Sequence, residues 1–338
     1  MSSRKQALDL SILLATCDRA QLLESTLKKI QQQKVNRLRW EIIVIDNNSV
    51  DETPAVLKRV AAASPVPLIA LHESEPGKSA ALNRGLPVAS GRLLVFTDDD
   101  ISPAPQWLAE LHSASRRWSA YSIFGGAIDP IYPADLPDWF DRESQYAAGA
   151  FSRFRLKQPE GPLKYGVMPF GPNFAVRAEV MGGVRFCNRI GPTKGEYAMG
   201  DEIELLFRLA ARGERAIYVP SAVVGHHVGI HQIDLRWLLQ RAFRLGRGFA
   251  RLENDKKSSR LFSVPWYLWS KLPLVWTKFQ LKRFSGERAR LDSGWRLNLC
   301  TGRIYEYRVM AREPPDAVNE MTPVNRNTDQ LTTTKELR

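Results

Sequence analysis

The chain has 338 residues, 44% of them hydrophobic, and carries 48 Lys and Arg against 36 Asp and Glu, a formal charge of +12. That length allows one large α/β domain with an appendage, or two domains, around a proper core. Its 3 cysteines, widely spaced and without a Cys-x-x-Cys pair, fit a reducing compartment and argue against a disulfide framework or zinc site. The absence of any 18-residue apolar run makes a spanning helix unexpected.

Residues 1–9 are polar and basic with no apolar core, so no secretory signal is expected. Residues 8–15 read as a strand, followed by the turn Thr16-Cys17-Asp18-Arg19. Residues 20–33 place Leu22, Leu23, Leu27 and Ile30 at helical spacing. A second strand is expected over 40–45, closed by a turn-rich string from Asp46 to Asp51, with a helix starting near Thr53-Pro54. A short strand at 67–71 and a helix over 79–89 follow.

Next comes Gly91-Arg92-Leu93-Leu94-Val95-Phe96-Thr97-Asp98-Asp99-Asp100, a buried strand ending in three carboxylates. Charges that dense need a cation or water to neutralise them. Alternation along an extended backbone puts Asp98 and Asp100 on one side and Asp99 on the other. The pair suits a hard divalent cation that also takes phosphate oxygens. Strand and helix alternate throughout, so the sheet should be parallel with right-handed crossovers.

Beyond Pro103 a helix is expected over 105–121 and a strand over 123–128. Residues 129–165 show no period and read as a long functional loop. Residues 170–176 read as a strand, 191–199 as a polar loop, and 201–212 as a helix burying Ile203, Leu206, Phe207 and Ala210. The strand over 217–224 is expected to be broken by Pro220 and to end at His226-His227.

Four stretches together resemble the inverting glycosyltransferases of family 2, which have the GT-A fold. They are Ala15-Thr16-Cys17-Asp18-Arg19 after the first strand, Ile45-Asp46-Asn47-Asn48-Ser49-Val50-Asp51-Glu52-Thr53 after the second, Gly77-Lys78-Ser79-Ala80-Ala81-Leu82-Asn83-Arg84-Gly85 at a helix start, and the Asp-x-Asp motif from Asp98 to Asp100. The resemblance covers residues 8–230. Each stretch alone is weak; four in order are specific. It departs from the family where Ala15 replaces the usual Pro and Asp18 the usual Asn.

The resemblance implies a GT-A, Rossmann-like, mostly parallel sheet flanked by helices. It implies a nucleotide-sugar donor, expected to be UDP-linked, and divalent Mn2+ or Mg2+. Ala15, Thr16, Arg19, Asp46, Lys78, Asp98 and Asp99 would bind the donor, with Asp46 on the base, Asp98 near the ribose and Asp100 on the metal. The general base falls in Gly200-Asp201-Glu202, with the family's acid order reversed. Glu202 holds the base position and Asp201 is expected to cap the helix, though the two roles could be exchanged. Gly171 and Asn173 match the acceptor-side loop. His226 matches a family histidine that can complete the metal site with Asp100, and equally suits a structural role.

The charge is concentrated. Residues 226–310 hold 17 Lys and Arg against 6 Asp and Glu, whereas residues 311–338 hold 4 against 5. Residues 235–247 interleave arginines with apolar positions like an amphipathic helix. Residues 261–279 combine Trp266, Trp269, Trp276 and Tyr267 with flanking cations, as helices lying in a membrane surface do. The alternative is helices packed on the catalytic part, with arginines binding an anionic acceptor. The expected division is therefore 1–230 for donor binding and catalysis, 231–310 for the basic segment, and 311–338 as a disordered tail.

The resulting expectation is metal-dependent, inverting transfer to a hydroxyl acceptor, such as a lipid-linked saccharide. It would occur in the cytoplasm, on the inner face of the cell membrane, and serve cell-surface polysaccharide or glycolipid synthesis. No groove-reading motif points to nucleic acid. Two rivals remain. A haloacid-dehalogenase-type phosphatase would use the Asp98-x-Asp100 strand, and a sugar-nucleotide-binding protein would lack a working base. A dinucleotide dehydrogenase is excluded, because no Gly-x-Gly-x-x-Gly follows the first strand.

Overall fold

The computed structural model describes residues 8–313 except 36, 194, 196 and 254–257. The expected tail falls outside them from residue 314 onward. The strands are β1 Leu8–Thr16, β2 Trp40–Asp46, β3 Leu68–His72, β4 Gly91–Phe96, β5 Ile101–Pro103, β6 Ile123–Ile131, β7 Gly161–Pro162, β8 Phe174–Arg177 and β9 Ala216–His227. They form one sheet in the order β3-β2-β1-β4-β8-β6-β9-β5, with β7 on β9. The β3-β2-β1-β4 half is parallel, as is β6 with β9, while β8 runs antiparallel between β4 and β6. The expected mostly parallel GT-A sheet is the one observed.

Helices α1 Ala20–Gln31, α2 Thr53–Ala62, α3 Lys78–Gly85, α4 Trp107–Arg117, α5 Gln145–Ala150 and α6 Asp201–Ala211 flank it. The two-residue period of β1 assigns its faces. Leu10, Ile12 and Leu14 pack with Leu23 and Leu27 of α1 and Leu108 of α4. Leu13 points the other way, among Leu82 of α3 and Leu205 and Leu206 of α6. Apolar burial on both faces is what the unbroken Leu/Ile/Val runs require.

Three local expectations are corrected. Residues 129–165 are not featureless: β6 runs on to Ile131 and α5 forms, capped by Ser144 Oγ accepting from the Ala147 N–H. Buried Phe140, Tyr146 and Phe151 hold the region down, an aromatic rather than periodic pattern. Residues 170–176 split into a 3-10 turn at Gly171–Asn173 and the strand β8. Pro220 does not break β9. The ladder passes from the pair Gly126–Val219 to Ala127–Val223, so residues 220–222 form a bulge where Pro220 has no N–H to donate.

Three further helices follow: α7 Leu235–Glu253, α8 Trp266–Lys282 and α9 Glu287–Met310, with a small hairpin of β10 Arg260–Leu261 and β11 Val264–Pro265. Between α7 and α9 the fully buried Glu306 accepts from Arg247 Nε at 2.6 Å and from Arg251 Nε at 2.5 Å. Arg251 also reaches Glu313 at 2.6 Å, so the first residues of the expected tail are tied down. The membrane-facing reading of residues 261–279 needs one correction. Trp269 is half-buried and donates its indole N–H to the Leu261 carbonyl, whereas Trp266 and Trp276 are 58% and 53% exposed. Among the described residues no helix is long and apolar enough to cross a membrane.

Candidate active site

The carboxyl ends of β1, β2 and β4 open into a cavity of about 810 Å³, whose far side is built by α6, α7, α8 and α9. An open α/β sheet binds its ligands at this edge. The turns after β1 and β2 are stitched together. Asp18, at φ 53°, accepts the Val50 N–H through Oδ1 at 2.7 Å, and its own N–H donates to Ser49 Oγ. The turn needs a side-chain oxygen acceptor on a residue that tolerates left-handed backbone, and Asp supplies both, as the usual Asn would.

Ala15, Thr16, Arg19, Lys78, Asp98, Asp99 and Asp100 all line the cavity. Asp98 and Asp100 turn to the same side, and with His226 they bring one ligand atom each within 4.8 Å of the others. Asp99 turns away to accept from Thr16 Oγ1 at 2.7 Å. Burial, with the Asp100 charge and against the pull of Arg19, pushes the Asp99 carboxyl up to about 7. Asp99 is therefore a brace for the β1 turn more than a ligand contact.

Asp100 is the opposite case. Burial acts to raise it, but the His226 imidazole and the Arg19 guanidinium, 2.6 Å from Oδ2, hold it well below the usual carboxylate range. His226 Nε2 lies 3.2 Å from Asp100 Oδ1, and its Nδ1 is 3.1 Å from the Phe151 carbonyl. Asp100 Oδ1 is buried with no hydrogen-bond partner. Two carboxylates and an imidazole with an unsatisfied oxygen fit a hard divalent cation.

Lys78 ties the two halves of the site together. Its Nζ lies 2.5 Å from Asp98 Oδ1 and 2.5 Å from Glu202 Oε1. Glu202 reaches this point because α6 starts at Gly200, which has φ 109°, and because residue 171 is glycine. A Cβ at Gly171 would collide with Glu202 Oε1. Gly171 thus makes room for the Glu202 carboxylate.

Asp201 caps nothing with its side chain. It is buried against Gly191, with Ser79 Oγ 3.5 Å away. Burial, and next the Glu202 charge, push the Asp201 carboxyl well above its ordinary range. Burial acts to raise Glu202 as well, but Lys78 and a hydrogen bond from Asp201 outweigh it and hold Glu202 down. Asp201 therefore keeps the proton that Glu202 lacks. Its folded-state pKa lies above the ordinary 3.8, so the fold binds that proton more tightly than the unfolded chain does. Stability from this group is then lost as pH climbs past the unfolded value. Asp201→Asn cannot ionise and should raise the melting temperature by about 2 °C at about pH 8 and leave it unchanged near about pH 4, read by calorimetry.

Two expected contacts are elsewhere. Asp46 does not line the cavity; it accepts the Ser49 N–H at 3.2 Å, with His72 Nδ1 3.7 Å away. Its neighbour Asn47 is in the wall instead, donating to the Glu73 and Glu75 carbonyls and accepting from the Gly77 N–H. Asn173 faces the core: its amide donates to the carbonyls of Ala127 and Ala222 and accepts from Trp107 Nε1, all within 2.9 Å. The β9 bulge leaves the Ala222 carbonyl without a ladder partner, and Asn173 satisfies it. Arg241 of α7 also lines the cavity, unnamed by any motif. The only signal for it was the interleaving of arginines along residues 235–247.

Carboxylates at a strand edge thus face a helix-borne carboxylate across one cavity, and comparison with known proteins places the chain among the glycosyltransferases. The family model "Glycosyl transferase family 2" matches residues 11–177, and that stretch of the chain belongs to the family. Glycosyltransferase AglE of Haloferax volcanii is 24% identical over 238 residues, covering 70% of this chain and 72% of that one. A GalNAc(5)-diNAcBac-PP-undecaprenol beta-1,3-glucosyltransferase of Campylobacter jejuni is 37% identical over 120 residues, 35% of this chain and 38% of its own. In structure, a mannosyltransferase of Pyrobaculum calidifontis in complex with GDP-Man and Mn2+ covers 94% of this chain and 79% of its own, with TM-score 0.54 and 21% identity. The phosphatase alternative falls with this result.

Proposed function

We propose that the protein moves a sugar from a nucleotide-sugar donor to an acceptor hydroxyl with inversion, using a divalent metal. The observation that supports this reading most is Lys78 held between Asp98 and Glu202 in one cavity. The nucleotide would lie over Ala15, Thr16 and Asn47, with Arg19 and Lys78 supplying cationic charge to its diphosphate. Asp98, Asp100 and His226 would hold the metal, which when bound supplies Lewis-acid neutralisation of the leaving phosphate. Glu202 takes the acceptor hydroxyl proton. The acceptor oxygen then bonds the anomeric carbon, whose bond to the diphosphate oxygen breaks with its electron pair, and the nucleoside diphosphate departs. One displacement inverts the anomeric centre.

Thermal unfolding with nucleoside diphosphates tests this reading. UDP or GDP with manganese should raise the melting temperature, by an amount that grows with the logarithm of ligand concentration. No shift with either nucleotide would overturn it.

The lipid-linked acceptor named for the Campylobacter relative, together with the excess charge of residues 226–310, supports work at the inner face of the cell membrane. Leu281 and Phe284, 73% and 82% exposed, add to the exposed apolar side chains Trp266 and Trp276. Anionic lipid would add about 1 kcal/mol per well-placed cation. The protein should float with anionic liposomes at low salt, and less at high salt or as Trp266→Ala/Trp276→Ala. Folded protein left in the soluble fraction at low salt would remove the membrane role.

A further inference from the structure

Among the described residues, Lys78 alone pairs with both a carboxylate of the metal group and Glu202. Its root is fixed from both sides. The Lys78 N–H donates to the Pro192 carbonyl at 3.0 Å. Gly77, at φ 133°, donates its N–H to Asn47 Oδ1 at 2.7 Å, and Ser79 Oγ donates to the Ile190 carbonyl at 3.1 Å. Glu202 is held as firmly, between Gly171 and the hydrogen bond from Asp201. The Lys78 side chain lines the cavity, so it can change rotamer and partner while its backbone stays.

That pairing conflicts with a metal. Asp98 Oδ1 is the oxygen 2.5 Å from Lys78 Nζ, and Asp98 belongs with Asp100 and His226 to the group that suits a divalent ion. A divalent ion and an ammonium on one carboxylate repel each other at short range. Nor does the surrounding charge favour the ion. Arg19, Lys78 and Arg241 stand in the cavity wall against Asp98, Asp100 and Glu202, three charges of each sign. Burial pushes Asp99 and Asp201 toward their neutral forms. Arg241 makes no ion pair among the described residues, and its buried Nε has no hydrogen-bond partner. Exposed Lys271, Lys278 and Arg296 add only positive charge. A lone divalent ion would thus meet no negative charge to spare. One that arrives with a nucleoside diphosphate brings its counter-charge, and the diphosphate offers Lys78 a new partner.

Resting on the glycosyltransferase reading, we propose that Lys78 is a donor-operated gate, which shields Asp98 from a lone metal ion and occupies Glu202 until a nucleoside diphosphate draws it away. One movement of the ammonium then opens Asp98 to the metal and Glu202 to the acceptor's proton. Lys78 is a positioning residue in this sense: it ties the arrival of the donor to the freeing of the base.

The probe is manganese alone, titrated by calorimetry into the full chain and into Lys78→Gln and Lys78→Arg. Glutamine removes the charge and still hydrogen-bonds a carboxylate; Lys78→Met is the second neutral variant, should glutamine fail to fold. The neutral variants should bind manganese alone about tenfold or more tightly than the parent, while Lys78→Arg stays with the parent. Adding Asp100→Asn should abolish the gain, which locates it at the metal group. Nucleoside diphosphate should tighten manganese binding in the parent, and by a smaller factor in the neutral variants. Neutral variants that bind manganese no better than the parent overturn the proposal. So does a gain that Lys78→Arg shares, because charge would then not be its cause, or one that survives Asp100→Asn. Absence of nucleoside diphosphate binding by the parent would sink the glycosyltransferase reading instead, and the titrations with manganese alone would still decide whether Lys78 shields Asp98.

Discussion

Glu202→Gln should lower sugar transfer by about two to four orders of magnitude while leaving metal-dependent nucleotide binding within about twofold of the parent. Glutamine keeps the shape that Gly171 accommodates and still offers Lys78 an oxygen, so the cavity should hold its form. What it cannot do is accept the acceptor's proton. The measurement pairs transfer rate with titration of nucleoside diphosphate and manganese. If Asp201→Asn gives the large loss and Glu202→Gln does not, the two acids have exchanged roles. Loss in neither variant would favour a protein that binds sugar nucleotides without catalysis.

Asp100→Asn should weaken nucleoside diphosphate binding in manganese by about a hundredfold or more and make the remaining binding indifferent to the metal. Asp100 offers the buried oxygen without a partner, and its charge balances both Arg19 and His226. Asparagine removes that charge, leaving Arg19 without its nearer carboxylate partner and the buried imidazole without the charge that raises its pKa. Calorimetric titration of UDP and GDP, each with and without manganese, reads the effect. Unchanged affinity would take Asp100 out of the metal site.

Much of this site was legible because its residues sit where local rules act. Asp98, Asp100, Lys78 and Glu202 stand at strand ends or helix starts, and such positions are marked by turn residues and by the end of an apolar run. Residues whose role depends on distant partners were not legible. Asn173 looks like a loop residue beside Gly171, yet it satisfies a carbonyl freed by a bulge in β9. Asp46 carries the familiar acid of the motif, but the wall is formed by Asn47, one residue on, because Asp46 is turned to its own loop. Asp201 was read as a cap from its position, whereas left-handed Gly200 starts the helix and Asp201 is buried beside Gly191. Arg241 was one arginine among several. Which of them lacks a counter-ion is settled by how three helices pack, and no spacing rule encodes that.

Glu306 bears on where this chain can be divided. Removing the last helix would take away the counter-charge that Arg247 and Arg251 share, a loss of about 3–5 kcal/mol when a buried pair is broken. Both arginines stand on the helix that carries Arg241, Leu245 and Phe249 into the cavity. The far end of the basic segment therefore acts as a clasp: what it closes on is the helix that reaches the reacting groups. A shortened protein that stops before residue 306 would keep every motif turn of the donor site and lose the wall opposite it.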